Sequence, residues 1–204
     1  MGYTHYLYRP VKKDHDVEAW NKFVADCKYL YTHMPEHSES AGSSYADAPL
    51  MLNGCGGFNK PQFTSTRIYF NGTGSTKKRR KVSATNNKGK PYTYWVDDLI
   101  GVPQELQDLG HETLTLYRKA WTQQYEKSSP TLFSCCKTAR KPYDLMVTAC
   151  LILYKYYFPY VQIGSDGNGE DWQQAWEFVA YVLPKGPEIV TEMKLSNNLF
   201  EKLY

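Results

Sequence analysis

A chain of 204 residues is long enough for one substantial hydrophobic core, and a single domain is the expectation for this length. Its residues are 42% hydrophobic and 22% charged, and the formal net charge of +3 is too small to indicate a nucleic-acid-binding protein from composition alone. No apolar stretch is long enough to span a bilayer, and the N-terminus has no apolar signal-peptide segment. We therefore expect a soluble, intracellular protein without a membrane partner.

The N-terminal half of the sequence predicts several short strands and one helix. Apolar residues at helical spacing, among them Val17, Trp20 and Cys27, follow Asp16, which is a suitable N-cap residue. Residues 73–95 contain a dense basic block without periodicity and are expected to form an exposed excursion from the core. Strands are predicted at 3–9, 50–54 and 65–72, and the helix at 16–34.

The C-terminal half mixes strands and helices without regular βαβ alternation. Two adjacent apolar stripes predict a central, mostly buried helix that begins near Pro142, and Asp171 is the expected cap of the next helix. We therefore expect an α+β fold, a single domain over 1–204 in which about four helices pack on a mixed or largely antiparallel sheet. Strands are predicted at 111–118, 131–136 and 160–164, and helices at 142–158, from 171 and at 188–203.

The segment FSCCKTARKPYD, at 133–144, is the strongest candidate for a binding site. A helix that begins at Pro142 leaves free backbone N–H groups and the positive end of its dipole in the first turn. Cations and a hydroxyl directly before such a helix favour a phosphate ligand. Alternatively, these side chains are simply solvated at a loop. The predicted ligand-binding residues are Lys137, Thr138, Arg140 and Lys141, with Tyr143 placed to stack on a base.

Two histidines are candidates for acid–base catalysis. His111 and Thr113 resemble half of the duplicated His-x-Thr signature of two-histidine phosphodiesterases, but no hydroxyl residue stands two positions after His5. A looser hypothesis places His5 and His111 on different strands that approach one pocket, with Glu112 a less direct participant on the opposite strand face. Alternatively, both histidines are hydrogen-bonded strand residues without a catalytic role.

Asp166 follows a predicted strand, within the run Ser165-Asp166-Gly167, where it could contact a sugar hydroxyl, Arg140 or a cation. A turn-forming Asp-Gly pair is the alternative interpretation. No spacing of His and Cys indicates a metal site, and no motif identifies a cofactor.

The basic block at 77–81 is the candidate nucleic-acid contact, because clustered Lys and Arg bind the phosphate backbone. A solvated surface loop is the alternative. Its residues are Lys77, Lys78, Arg79, Arg80 and Lys81.

Several motifs, in order along the chain, resemble a family of bacteriophage proteins. They are MGYTHY at the N-terminus, IYFNG, HET, FSCCKTARKPYD, and SDG followed by DW. The resemblance implies a viral accessory protein that acts in the cytoplasm of an infected host cell, and it implies no reaction. The basic excursion at 73–95 is an insertion relative to the family pattern. The resemblance marks as site residues Thr4, His5, Asn71, His111, Glu112, Lys137, Thr138, Arg140, Lys141, Tyr143, Asp144 and Asp166.

The leading hypothesis is that the protein binds a phosphorylated small molecule, such as a nucleotide or a nucleotide-derived signal, with counter-defence as the biological role. A second hypothesis is a phosphodiesterase or glycosidic-bond hydrolase that acts on a nucleotide through His111 or His5. A third is a nucleic-acid-binding accessory protein that uses the block at 77–81. The sequence leaves the oligomeric state open.

Overall fold

The computed structural model describes residues 2–11, 13–57, 59–73, 77–85, 89–99, 109–120 and 130–195. Within them the chain forms nine strands and four α-helices, with short 3₁₀ turns at 43–45 and 55–57. In chain order these are β1 Thr4–Pro10, α1 Val17–Thr32, β2 Leu52–Asn53, β3 Gln62–Phe63, β4 Arg67–Gly72, β5 Lys77–Thr85, β6 Pro91–Leu99, β7 Leu114–Tyr117, β8 Thr131–Lys137, α2 Asp144–Tyr157, β9 Gln162–Ser165, α3 Gln173–Val182 and α4 Gly186–Leu195.

The strands form antiparallel sheets. One sheet has the order β8-β1-β9, and β4 pairs with β2, β3 and β7 in another. The remaining two strands, β5 and β6, pair with each other. This arrangement confirms the predicted α+β class, with largely antiparallel sheets and four helices in the described part of the chain.

Helix α2 is the centre of the core. Every residue from Asp144 to Lys155 is buried, as its wide apolar stripe predicts. The polar groups inside this helix have partners: the hydroxyl of Thr148 donates to the carbonyl of Asp144 at 2.8 Å, and Nζ of Lys155 donates to the carbonyl of Val161 at 2.6 Å. Buried polar groups need such partners, so the helix can be enclosed on all sides. Helices α1, α3 and α4 all contact it.

Helix α1 begins where its cap was predicted, because the Asp16 carboxylate accepts a hydrogen bond from the N–H of Ala19 at 2.9 Å. The buried face differs slightly from the predicted one. Trp20 and Cys27 are buried, but Val17 is 55% exposed, since it lies at the first turn beyond the edge of the core. The helix was therefore predicted correctly, but the prediction that Val17 belongs to its buried face was wrong.

His15 precedes α1 and is enclosed by aromatic rings. Its two ring nitrogens lie 2.6 Å from the hydroxyls of Tyr160 and Tyr154. Burial, with the positive charge of Arg9 as the next contribution, lowers the pKa of His15 to about 3. The neutral imidazole is therefore a structural element of the core.

Residues 73–95, predicted as an exposed excursion without periodicity, contain regular strands that the sequence pattern did not indicate. Two nine-residue strands, β5 and β6, form a hairpin whose register places Arg79 opposite Asp97 and Lys78 opposite Asp98. A run of five cations conceals this pairing from sequence inspection, because the acidic residues that face it lie about twenty positions away along the chain. The side chains of 77–82 lie outside the described residues, so their role as a nucleic-acid contact stays a prediction.

None of the helices in the described ranges is both long and apolar enough to cross a bilayer.

Candidate functional site

The turn between β8 and α2 has an unusual backbone. Ala139 and Arg140 both have φ of 56°, in the left-handed region that costs a non-glycine residue about 1–2 kcal/mol. Three hydrogen bonds hold the turn: the N–H groups of Thr138 and Ala139 donate to the carbonyl of Tyr3, at 2.9 and 3.1 Å, and Gly42 donates to the carbonyl of Arg140 at 2.8 Å. Backbone strain that is fixed in this way concentrates at functional sites, so this turn is the starting point of the candidate site.

A buried polar chain lies beneath the turn. His5 on β1 has no exposed surface, and its Nε2 lies 2.8 Å from Oδ1 of Asp144 at the start of α2. Its Nδ1 lies 3.1 Å from the hydroxyl of Ser165 on β9. The hydroxyl of Thr138 donates to the same Asp144 oxygen at 2.5 Å. Three segments that are far apart in sequence, around residues 5, 138–144 and 165, are thus joined through one imidazole ring.

The neighbouring groups favour one proton arrangement for this chain. The backbone N–H of Gly167 donates to the Ser165 oxygen at 3.0 Å, which leaves the Ser165 hydroxyl proton free to point at Nδ1 of His5. The proton of His5 then sits on Nε2, facing the Asp144 carboxylate. A hydroxyl, an imidazole and a carboxylate in a row are the elements of a proton relay.

Aromatic rings close this chain off from solvent. Tyr3 and Trp172 contact the His5 ring edge-on, with ring centroids 5.1 and 5.3 Å away. The Tyr3 hydroxyl is buried beside Ser165 without a hydrogen bond of ordinary geometry, and burial raises the pKa of Tyr3 to about 12. His5 therefore contacts no solvent, and any ligand would reach it only through Ser165, which is partly exposed.

The predicted cradle of free N–H groups at the helix start does not form. Helix α2 begins at Asp144 rather than at Pro142, and the N–H groups of 144–146 donate to the carbonyls of 141–143. These donors are therefore already paired within a tight turn, and residues 141–150 are all buried. The Asp144 carboxylate, which was predicted to contact a ligand, binds His5 instead.

Lys141 and Tyr143 are also engaged internally. Nζ of Lys141, a residue that is only 4% exposed, donates to the carbonyl of Gly110 at 2.8 Å. The hydroxyl of Tyr143 donates to the carbonyl of Glu112 at 2.8 Å, and its ring is fully buried. Burial raises the pKa of this tyrosine. The prediction that Tyr143 stacks on a base was wrong, because its ring presents no face to a ligand.

Asn71 fixes the segment that carries His111. Its Nδ2 donates to the carbonyl of His111 at 2.9 Å, and its Oδ1 accepts from the N–H groups of His111 and Gly72 at 3.0 and 2.8 Å. The side chain is 1% exposed. Asn71 is therefore a positioning residue, and the predicted direct contact with a ligand is not available to it.

His111 and Glu112 lie before β7 rather than on it, since the strand begins at Leu114. Both are exposed, and Glu112 is anchored by the N–H of Lys137, which donates to its Oε2 at 2.6 Å. The hypothesis that His5 and His111 face one open pocket was wrong, because His5 is fully enclosed while His111 is exposed. The prediction that His111 and Glu112 lie on opposite faces of a strand was also wrong, because this segment is a loop held by Asn71.

Asp166 directly follows β9, and its side chain binds residues at the start of the neighbouring strand β1. Its two carboxylate oxygens accept hydrogen bonds from the N–H of Thr4 and the hydroxyl of Tyr6, both at 2.9 Å. The bond to Asp166 raises the pKa of Tyr6. The carboxylate therefore fixes the strand end, as the turn interpretation suggested, and has little capacity left for a sugar hydroxyl.

Two of the predicted cations, Lys137 and Arg140, remain accessible, and together with the exposed Gly2 and the buried ring of Tyr3 beneath them they form a surface that we call the cationic rim. The Lys137 side chain lies over Gly2, so closely that a Cβ atom there would clash with it. The Arg140 guanidinium lies 4.1 Å from the centre of the Tyr3 ring, and its Nη1 donates to Oδ1 of Asp171 at 2.5 Å. This hydrogen bond lowers the pKa of the Asp171 carboxyl.

Sequence reasoning missed four members of the site: Tyr3, Ser165, Asp171 and Trp172. Asp171 was predicted to cap α3, but the helix begins after Trp172, and Asp171 accepts hydrogen bonds from Arg140 and the N–H of Asn168. The sequence features that could have indicated these residues are the SDG and DW motifs, to which the sequence analysis gave no role for Ser165 or Trp172.

Comparisons with protein families, curated proteins and solved structures give no match for this chain. The resemblance to bacteriophage proteins therefore stays a prediction. Among the described residues, no group of three or more His, Cys, Asp or Glu side chains is arranged to hold a metal ion.

Proposed function

We propose that the protein binds a phosphorylated small molecule of the nucleotide class on the cationic rim. The observation that carries the proposal is the strained turn at Ala139 and Arg140, which orients the Arg140 guanidinium over the Tyr3 ring at the surface. A fold retains two left-handed residues side by side only where the surrounding structure enforces them, and such strain is typical of ligand-binding turns. This rim replaces the helix-terminus cradle expected from the sequence.

The charges of the rim suit a phosphate. Only Nη1 of Arg140 has a hydrogen bond in the described structure, and the side chain is 41% exposed, so other guanidinium donors are left for a ligand. Nζ of Lys137 has no acceptor among the described residues. Beside it, Glu112 has one carboxylate oxygen without a partner there, which could accept a hydrogen bond from a sugar hydroxyl. A cation pair next to a carboxylate matches a sugar phosphate.

In this proposal the protein acts as a viral accessory protein in the cytoplasm of the infected host, where it would sequester a nucleotide signal. The cationic rim itself holds no Ser, Cys, His, Asp or Glu side chain, and His111 is exposed outside it, which favours retention of the ligand over turnover. This statement applies to the described residues alone.

The test is native mass spectrometry of the freshly purified protein, followed by thermal-shift titration with AMP, ADP, NAD and cyclic dinucleotides. We expect at least one of these probes to raise the melting temperature of the wild type. Lys137→Ala should remove most of that shift without changing the melting temperature of the ligand-free protein, because Nζ of Lys137 donates to no acceptor in the part of the chain that the structure describes. Lys28→Ala, on the exposed face of α1, is the matched control and should behave like the wild type.

The proposal fails if no probe binds, or if Arg140→Glu and Lys137→Ala bind every probe as tightly as the wild type. Equal weakening by Lys28→Ala would also contradict it, because a general effect of net charge would then explain the result.

A second candidate function is hydrolysis of the bound molecule, which the chain of Ser165, His5 and Asp144 favours. As the Ser165 oxygen attacks the phosphorus of a bound phosphodiester, His5 would take up the hydroxyl proton through Nδ1, and Asp144 would stabilise the resulting imidazolium. His5 would then give that proton to the leaving alcohol oxygen as its bond to phosphorus breaks, and attack by water would release the phosphoryl group from Ser165. Product formation is followed by mass spectrometry after incubation with the ligand. Turnover that Ser165→Ala abolishes, while the ligand is still retained, would establish this function; turnover that only His111→Ala abolishes would point to the exposed histidine instead.

The nucleic-acid hypothesis is favoured by one observation, that the basic block at 77–81 lies along a single strand, β5, of a hairpin. Replacing these five cations with Ser should then abolish binding to duplex DNA, and the affinity of the wild type should fall steeply with salt. Binding that is absent or insensitive to salt would remove this candidate.

A further inference from the structure

The sheet β8-β1-β9 carries aromatic side chains on its outer face. On β1, Tyr6 and Tyr8 alternate with buried residues and are themselves only partly buried. Leu7, between them, belongs to the core that contains α2, so the two tyrosines point to the opposite side of the sheet. On the neighbouring strand β8, Phe133 lies opposite Tyr8 and is 49% exposed. These three side chains, Tyr6, Tyr8 and Phe133, share one surface, which we call the aromatic face.

The three rings form one contiguous group. The planes of the Tyr6 and Phe133 rings are only 20° apart, with 6.4 Å between their centroids, and the centroid of the Tyr8 ring lies 5.1 Å from that of Phe133. The residues opposite Tyr6 on the two flanking strands are small, Cys135 on β8 and Gly164 on β9, so they leave its ring uncovered. Exposed apolar groups that cluster in this way, rather than being scattered, indicate a binding surface.

The charges around the aromatic face favour a polyanion. Lys137 is the outward residue at one end of β8, and the exposed Lys119 lines the same cleft as Phe133 near the other end. Within β1, β8 and β9, all of which the structure describes, no residue is acidic. The carboxylate of Asp166 lies beyond the end of β9 and is engaged by the Tyr6 hydroxyl at 2.9 Å. Aromatic rings between cations are complementary to bases that are joined by phosphates.

We propose that the aromatic face binds single-stranded nucleic acid, with successive bases stacked on its three rings and the adjoining phosphates near Lys137 and Lys119. A sheet that presents aromatic side chains on adjacent strands can stack two or three bases. The ligand is a single strand because the bases of a duplex are stacked on each other and present no ring face to a protein. Every base has such a face, so binding should tolerate many sequences. The proposal does not involve β5, and it does not depend on the function proposed for the cationic rim, although Lys137 belongs to both surfaces.

The experiment is a titration of the full-length protein with fluorescein-labelled oligo-dT of about ten nucleotides, followed by fluorescence anisotropy. Phe133→Ala should weaken binding about fivefold or more, because one base loses the ring on which it stacks. The side chain of Phe133 is half exposed, so the variant should fold, which circular dichroism checks. Tyr181→Ala, which removes a 92% exposed aromatic side chain from α3, is the matched control and should bind like the wild type.

Two further variants distinguish base stacking from apolar contact with a protein. Phe133→Trp keeps an aromatic face and should retain binding. Phe133→Leu keeps apolar surface without an aromatic face, and it should bind as weakly as Phe133→Ala. The shift in melting temperature that AMP produces should be the same in Phe133→Ala as in the wild type, which separates this surface from the cationic rim.

Four outcomes overturn the proposal. The oligonucleotide fails to bind to folded protein, or Phe133→Ala weakens binding no more than Tyr181→Ala does. Phe133→Leu binds as tightly as Phe133→Trp, in which case stacking is not the interaction. Finally, sedimentation shows that the wild type is a dimer which Phe133→Ala dissociates, so that the aromatic face is an interface between two copies of the chain.

Discussion

Replacing Ala139 with Gly tests whether the turn between β8 and α2 stores strain. Ala139 has φ of 56°, a conformation that glycine adopts without steric cost and alanine does not. The matched control is Ala46→Gly, at an exposed position where φ is −56° and alanine is unstrained. Both substitutions remove one methyl group and both increase the freedom of the unfolded chain.

The magnitude follows from two opposing contributions. Relief of the left-handed conformation should stabilise the folded state by about 1–2 kcal/mol. The greater entropy of the unfolded glycine chain should destabilise it by about 0.4–1 kcal/mol. Ala139→Gly should therefore leave the free energy of unfolding unchanged or raise it by up to about 1.5 kcal/mol, whereas Ala46→Gly has only the unfavourable contribution. The difference between the two variants isolates the strain, at about 1–2 kcal/mol.

Equilibrium unfolding in urea, followed by circular dichroism, measures both variants against the wild type. If Ala139→Gly destabilises the protein as much as Ala46→Gly does, the turn holds no strain, and the observation that supports the cationic rim is lost. A stabilised Ala139→Gly variant that also binds its nucleotide more weakly would connect the strain directly with the orientation of the rim.

Three further results are expected. Gly72→Ala should severely destabilise the protein because its Cβ would clash with the carbonyl oxygen of Leu109, whereas Gly169→Ala, where nothing lies within 4 Å, should have little effect in the same urea assay. The pKa of His15 is about 3 in the folded protein and about 6.5 in the unfolded chain, so the unfolded chain binds the proton first as the pH falls. The stability that neutral His15 provides is therefore complete above about pH 6.5 and is lost towards pH 3. The free energy of unfolding should fall by up to about 1.4 kcal/mol per pH unit in this range. Unfolding curves from pH 7 to 5 should accordingly show a steeper loss in the wild type than in His15→Phe, and parallel profiles would contradict this. Asp16→Ala should cost about 1 kcal/mol through loss of the N-cap of α1, and unchanged thermal stability would show that the cap contributes nothing.

Elements with a local pattern were predicted well. The cap at Asp16, the periodicity of α1 and the wide apolar stripe of α2 depend on residues within one or two turns, so the sequence window contains the relevant contacts. The β5–β6 hairpin was not predicted, because the basic run of β5 has no alternating apolar pattern, and the acidic residues opposite it, Asp97 and Asp98, lie about twenty positions away. The extent of β7 was overestimated, since alternation continues to His111 while Asn71 holds that residue in a loop.

The candidate site was predicted as a region but not in its chemistry. The sequence by itself identified the segment 133–144, and its Lys and Arg residues do lie near His5 and Asp166. Only the tertiary structure decided which of these groups are free. Asp144 binds His5, Lys141 and Tyr143 bind the loop before β7, and the accessible cations are left on the rim. The physical reason is that the availability of a polar side chain depends on the partners that folding brings to it, and here those partners come from strands and loops far away in the chain.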